Sequence, residues 1–294
     1  LKYRLGGMKV IKDYILLISA AVLCALNFAM TKAYQNRAGT TPASGIVFNI
    51  ITGAASAVIF FAANGFKCGI NTYSAVMAAA MTSLCVIYTM IGFKIMESET
   101  MALYTVFLMT GGMTVPYVWG LIFLNEPISV LRTIGLIILA AAVFITNTDG
   151  SGAKTKKLYL CIAVFLLNGF VSVVSKEHQI NPHAVSATDF VILTNLIKAV
   201  VCTAILPFVK GEKSTGFSPK LLLYIIPGAV LSGVSYMFQL IGAVNLPATV
   251  LYPIMTGGTI IFSTISGIVI FKEKVGKRTA LGIALCFIGT CMFL

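Results

Sequence analysis

Ten apolar runs, most of them close to twenty residues long, divide this chain, and they set its solvent before anything else. A helix needs about 20 apolar residues to cross the hydrocarbon core of a bilayer. The runs fall at 13–31, 44–63, 74–94, 101–124, 129–147, 158–176, 186–209, 221–242, 248–271 and 277–294. Between them stand breakers and charges, among them NRAGTTP at 36–42, NEP at 125–127, NTDGSGAKTKK at 147–157 and KEKVGKR at 272–278, compositions typical of turns. The runs lack the alternation that strands of a membrane barrel require. Composition agrees, with 58% apolar and only 10% charged residues, against about 25% charged in a soluble domain. The expected fold is an all-α membrane protein with ten transmembrane helices.

The net charge of +12 does not point to nucleic acid. The basic residues form short clusters between apolar runs, as membrane-flanking lysines do, so the bilayer is the expected partner and no nucleic acid is. The seven cysteines show no C-x-x-C pairing and read as small hydrophobes, with no metal site or cofactor expected. Lys9 and Lys12 precede a first run too long for a signal-peptide core, and no small-x-small cleavage site leads into a soluble domain. The first Met is Met8, so residues 1–7 read as an upstream extension, and a basic tail is expected beyond Leu294.

The tetrapeptide MTGG occurs at 109–112 and again at 255–258. Alone this is weak evidence for a repeat, which needs matching neighbours. The neighbours match. Tyr88 precedes Leu103-Tyr104 by the interval at which Tyr236 precedes Leu251-Tyr252, and Gly120, Glu126 and Gly135 recur in register as Gly267, Glu273 and Gly282. Thr31-Lys32-x-x-Gln35 resembles Ser175-Lys176-x-x-Gln179, and Asn49 matches Asn195 at the MTGG offset. The offset shifts by two residues between the tyrosines and MTGG, inside a run. The expected domains are two five-helix repeats, 12–148 and 157–294. Five is odd, so the second repeat lies inverted relative to the first, a recurring architecture of secondary transporters.

Each half closes as an apolar helix, a short Glu-bearing loop and a Gly-containing apolar helix: GLIFLNEPISVLRTIGLIILAAAVFI and GIVIFKEKVGKRTALGIALCFIGTCMF. With the 5 + 5 repeat, these endings resemble the ten-helix EamA-type members of the drug/metabolite transporter superfamily, over essentially the whole chain from Lys12 onward. The resemblance implies movement of small metabolites, usually export, driven by an ion gradient or the substrate's own gradient. It also implies both termini in the cytoplasm. The second-half lysines, concentrated on the side opposite the N-terminus, favour the other orientation by the positive-inside rule. The small four-helix relatives carry a Glu in their first helix that binds protons and cationic drugs. Here that helix offers Asn27, and all nine acidic residues lie at run ends or in loops, so antiport built on a buried carboxylate is not supported.

An ionisable group at mid-helix costs about 2.5–3.5 kcal/mol on insertion scales and therefore tends to mark function. Lys198 is the only charge near the centre of a run, continuing a stripe of Thr188, Asn195 and Cys202. Facing a cavity, it would attract a carboxylate or phosphate, or bind and release a proton; otherwise it snorkels or donates to backbone carbonyls. Asn49 shares a stripe with Gly45, Thr52 and Ser56, while Asn27, and Asn168 with Ser172 and Ser175, make similar polar faces. Such groups either line a pathway or hydrogen-bond neighbouring helices. Tyr88, Tyr236, Gln239 and Tyr252, with Tyr104 and Trp119, are candidates for the wall of an amphipathic cavity; the aromatics serve equally as interface anchors. Gly111, Gly112, Pro253, Gly257 and Gly258 are expected at hinges or close packing points. His178 and His183 are expected in a solvated loop at 177–185, and Glu126 and Glu273 as structural caps at helix N-termini or partners of nearby basic groups.

The function expected is secondary transport, by alternating access, of a small-molecule substrate: an exporter of metabolites or drugs in the cytoplasmic membrane, acting as a monomer or homodimer. The alternatives are a channel or a structural membrane protein and, less well supported, an intramembrane enzyme. An enzyme would need a catalytic pair within the bilayer, and neither His nor Asp falls mid-run. No P-loop motif is present, which excludes ATP-driven transport by this chain.

Overall fold

The computed structural model describes residues 2–39, 41–96, 101–147, 158–209, 219–272 and 276–294, and every regular element within them is helical. Ten α-helices follow one another: α1 (Lys2–Ala38), α2 (Pro42–Ala63), α3 (Thr72–Met96), α4 (Met101–Phe123), α5 (Val130–Asn147), α6 (Leu158–Ile180), α7 (Ala187–Ile205), α8 (Leu222–Asn245), α9 (Ala248–Phe271) and α10 (Lys277–Cys291). Among the described residues, eight stretches are long and apolar enough to cross a membrane. The other two helices, α5 and α10, have 18 and 15 residues, or about 27 and 22 Å at 1.5 Å per residue. They pack on each other, and their shortness is of the kind that local bilayer thinning accommodates. Outward faces are apolar, with Val58 67%, Ile137 63% and Phe287 61% exposed, a surface that suits lipid and not water. This is an all-α, multi-pass membrane protein.

Helix ends follow local chemistry. At α2, Thr41 accepts from the Ser44 N–H at 3.2 Å and Pro42 fills the first turn, a favourable N-terminal pairing. At α7, Ser186 Oγ accepts from the Asp189 N–H at 3.1 Å, and Asp189 sits at the positive end of the helix dipole. Asn125 and Lys272, each directly before a loop glutamate, both take left-handed backbone (φ 51° and 55°).

The packing follows an exchange of helix n with helix n + 5. α1 lies against α8 and α9, as α6 lies against α3 and α4. α2 touches α8, as α7 touches α3, while α2·α7, α4·α9 and α5·α10 map onto themselves. One departure stands out: α8 also packs on α6 and α7, whereas α3 stands off α1 and α2. The main core joins α1, α4, α5, α9 and α10 around Met113, Leu139, Leu251 and Ile254. A second core joins α2, α3, α7 and α8 around Phe60, Met81, Phe190 and Leu240.

The MTGG glycines are places of close approach. A Cβ at Gly111 would run into the Phe165 carbonyl of α6, and one at Gly112 would lie 2.7 Å from Asn168 Nδ2. A Cβ at Gly257 would strike Thr290 Oγ1 of α10, and one at Gly258 would lie 3.0 Å from the Ala21 Cβ of α1. α4 and α9 run unbroken through Pro116 and Pro253. The two-residue shift between the tyrosines and MTGG is absorbed by rotation: two residues turn a helix by about 200°. Accordingly Tyr104 faces Gly92 of α3, whereas the Tyr252 hydroxyl donates to the Ser172 carbonyl of α6 at 2.5 Å.

Candidate functional site

A cavity of about 350 Å³ lies among α2, α3, α6, α7 and α8. α7 contributes Thr194, Lys198, Cys202 and Ile205, spaced four, four and three residues apart and so on one helical stripe. Leu196 and Val200, on the other side of α7, are 49% and 61% exposed, so lipid covers that face and Lys198 points inward. Tyr88 and Tyr236, equivalent in the two halves, both line the space. The lining includes Ile46 and Asn49 near the start of α2 and Ile205 at the end of α7. The cavity therefore reaches from mid-membrane towards the end of the bundle where α2 begins and α7 ends.

Among the described residues, the lining holds one charged side chain, Lys198, and no carboxylate. The thiols of Cys85 and Cys202 neighbour its ammonium. Most polar groups around it are turned to their own helices. Asn49 Nδ2 donates to the Gly45 carbonyl at 3.0 Å, Thr89 Oγ1 to Cys85 at 2.7 Å and Thr194 Oγ1 to Phe190 at 2.9 Å. The Tyr236 hydroxyl lies 3.1 Å from both Ser175 Oγ and Met81 Sδ.

The opposite end is fastened by cross-helix polar contacts. Lys176 of α6, 5% exposed, donates to the Ala243 and Leu246 carbonyls at 2.5 and 2.6 Å, at the C-terminus of α8. Glu126 accepts from the Ala248 and Thr249 N–H groups at 2.6 and 2.8 Å, at the N-terminus of α9. Opposite charges thus clamp the two sides of the α8–α9 connection, each matched to its helix dipole. Around this clamp, Trp119 Nε1 donates to Glu177 at 2.6 Å, His178 Nε2 meets Ser74 Oγ at 2.8 Å, Asn64 donates to Asp189 at 3.0 Å, and Asn245 donates to Asp13 at 3.3 Å. The loop between α2 and α3 lies at this end, where burial and then the Asp189 carboxylate push the Cys68 thiol up. At the cavity end, Lys32 lies over the Phe271 ring and Arg37 over the Tyr224 ring, at 5.1 and 4.9 Å.

Of the residues singled out in the sequence, the cavity gathers Lys198, Asn49, Tyr88 and Tyr236. It does not include Asn195, which lies one position round α7 and donates to the Val191 carbonyl at 2.9 Å. Its own carbonyl lies 2.8 Å from where a Cβ on Gly53 of α2 would fall, so its place is the α2·α7 contact. The stripe beside Lys198 consequently runs through Thr194, and Thr188 instead meets Met237 Sδ at 3.6 Å. Asn168 donates to the Leu108 carbonyl at 2.7 Å, joining α6 to α4. Asn27 lies at the α1·α8 contact, its oxygen 3.3 Å from where a Gly228 Cβ would stand. Gln239 is half-buried on α8 and does not line the cavity.

Two readings are corrected. His178 is not in a solvated loop: α6 continues to Ile180, and the ring is fully buried, stacked 3.7 Å from Phe190 and 5.8 Å from Tyr73. The helix continues because its polar end groups find partners on α3, α4 and α8. Glu126 is a cap, but of α9 and not of the helix that follows it in sequence. Glu273 lies outside the described residues. Sequence reasoning missed Met81, Thr82, Cys85 and Thr89, which make the α3 wall of the cavity. The wall's signal was a polar stripe on α3 at spacings of three and four.

Comparison with known proteins adds three findings. Residues 155–294 match the sequence profile of the EamA-like transporter family. No curated protein matches the sequence. A solved structure described only as "Crystal structure of protein" superposes with a TM-score of 0.77 at 13% identity, over 96% of each chain, a likeness of fold. The second half of the chain is thus similar to EamA-like transporters, and it is set in a multi-pass helical membrane fold.

Proposed function

We propose that the chain is a secondary carrier that exports small organic metabolites or drugs across the cytoplasmic membrane by alternating access between two inverted five-helix repeats, 12–148 and 157–294. The observation that carries the mechanism is the main break in the packing exchange: α8 closes on α6 and α7, while α3 stands off α1 and α2. A carrier built of inverted repeats has two mirror conformations, and each one alone breaks the symmetry between the halves. Exchange of the roles of α3 and α8 would close the cavity end and open the clamped end. The clamp of Lys176 and Glu126 is then the closed gate of the present conformation. Lys32, the repeat counterpart of Lys176, would take part in a gate at the other end. Export and the choice of membrane are supported by the family resemblance. The chain needs no catalytic chemistry for this work, and it acts as a monomer or homodimer.

Counterflow of labelled metabolites in proteoliposomes tests the carrier. Saturable exchange accelerated by unlabelled solute on the far side is the expected result. Flux that rises linearly with concentration would replace the carrier with a channel, and chemical conversion of the solute would replace it with an enzyme.

A further inference from the structure

Among the described residues, the cavity lining has one ammonium and no carboxylate to neutralise it. Lys198 Nζ meets no carboxylate and no hydrogen-bond acceptor among the described residues, and its titratable neighbours are the thiols of Cys85 and Cys202. Lys198 is half-buried, and a cation partly withdrawn from water gains from an anionic partner. Several of the hydroxyl and amide donors nearby are committed to backbone carbonyls, as at Asn49, Thr89 and Thr194. Much of the remaining wall is aliphatic and thioether, from residues such as Ile46, Met81, Met90 and Val171. We propose that this cavity binds an organic monoanion, a carboxylate on a compact apolar body, with the carboxylate on Lys198 and the body against the α3 and α6 side chains. A cation would be repelled by Lys198 and would find no carboxylate to pair with. A phosphate dianion would bring two charges to one ammonium and more lone pairs than the free donors can satisfy. The volume of about 350 Å³ lies at the small end of ligand pockets, which favours solutes of few heavy atoms.

This assignment rests on the carrier reading only in calling the cavity a transport site; binding itself is measured without transport. The test is thermal unfolding of the purified full chain in a neutral detergent, with 3-phenylpropanoate and its isostere 3-phenylpropylamine as probes, and inorganic phosphate as a third. The expected result is a saturable rise in melting temperature with the carboxylate and none with the amine or with phosphate. Lys198→Arg should keep the response, and Lys198→Met should lose it. Equal stabilisation by the amine, preference for phosphate, or a carboxylate response that survives Lys198→Met would overturn the assignment. The wild-type comparison of carboxylate with amine decides the matter even if Lys198→Met does not fold. Carboxylate binding without saturable counterflow would overturn the carrier and leave the site, whereas saturable counterflow of an amine with no carboxylate response would do the reverse.

Discussion

Lys198 and Lys176 show how far single residues could be read from the sequence. Lys198 was legible because a charge at mid-run stands out against lipid, and the stripe spacing places it inward. Lys176 was not, because the carbonyls that hold it belong to Ala243 and Leu246, 67 and 70 residues away. His178 failed for the same reason, since its stacking partners Tyr73 and Phe190 come from other helices. Two outcomes are expected at this scale. Lys198→Met should reduce transport of a cognate anion at least tenfold at unchanged expression, read by counterflow; undiminished transport would remove Lys198 from the pathway. Gly111→Ala should lower stability by about 1–3 kcal/mol, the usual cost of overpacking, because its methyl meets the Phe165 backbone. Gly276→Ala, with nothing within 4 Å of the added methyl, should leave the melting temperature nearly unchanged.

Among elements, run length and flanking charge foretold nearly every helix, since crossing lipid leaves the backbone no alternative. What the runs did not reveal was which helices meet. The connection between α8 and α9 illustrates this: its two ends are held by Lys176 and Glu126, from α6 and from the loop after α4. Nothing local to residues 243–249 announces those partners. Removing either charge should loosen the connection. Glu126→Ala forfeits two charge-assisted bonds, worth about 1.5–3 kcal/mol each, and should lower the melting temperature in detergent more than Glu126→Gln, which keeps acceptor oxygen. Equal melting temperatures for the two variants would reduce Glu126 to a surface group.

At the scale of the whole molecule, the matched registers of Glu126/Glu273 and Tyr88/Tyr236 led to the proposal of a repeat, but they gave no sign of the difference in packing between α8 and α3. No sequence spacing distinguishes α8 closed on α6 from α3 open to α1, because both arrangements use the same apolar faces. That difference is what alternating access requires. It is read most directly by spin-label distances between two pairs of sites: 180 with 244, at the clamped end of α6 and α8, and 36 with 94, at the matching ends of α1 and α3. In lipid, both pairs should show short and long populations that shift reciprocally on adding 3-phenylpropanoate or a cognate solute, with 36–94 shortening as 180–244 lengthens. A single unchanging distance in both pairs, or both lengthening together, would contradict the exchange of α3 and α8.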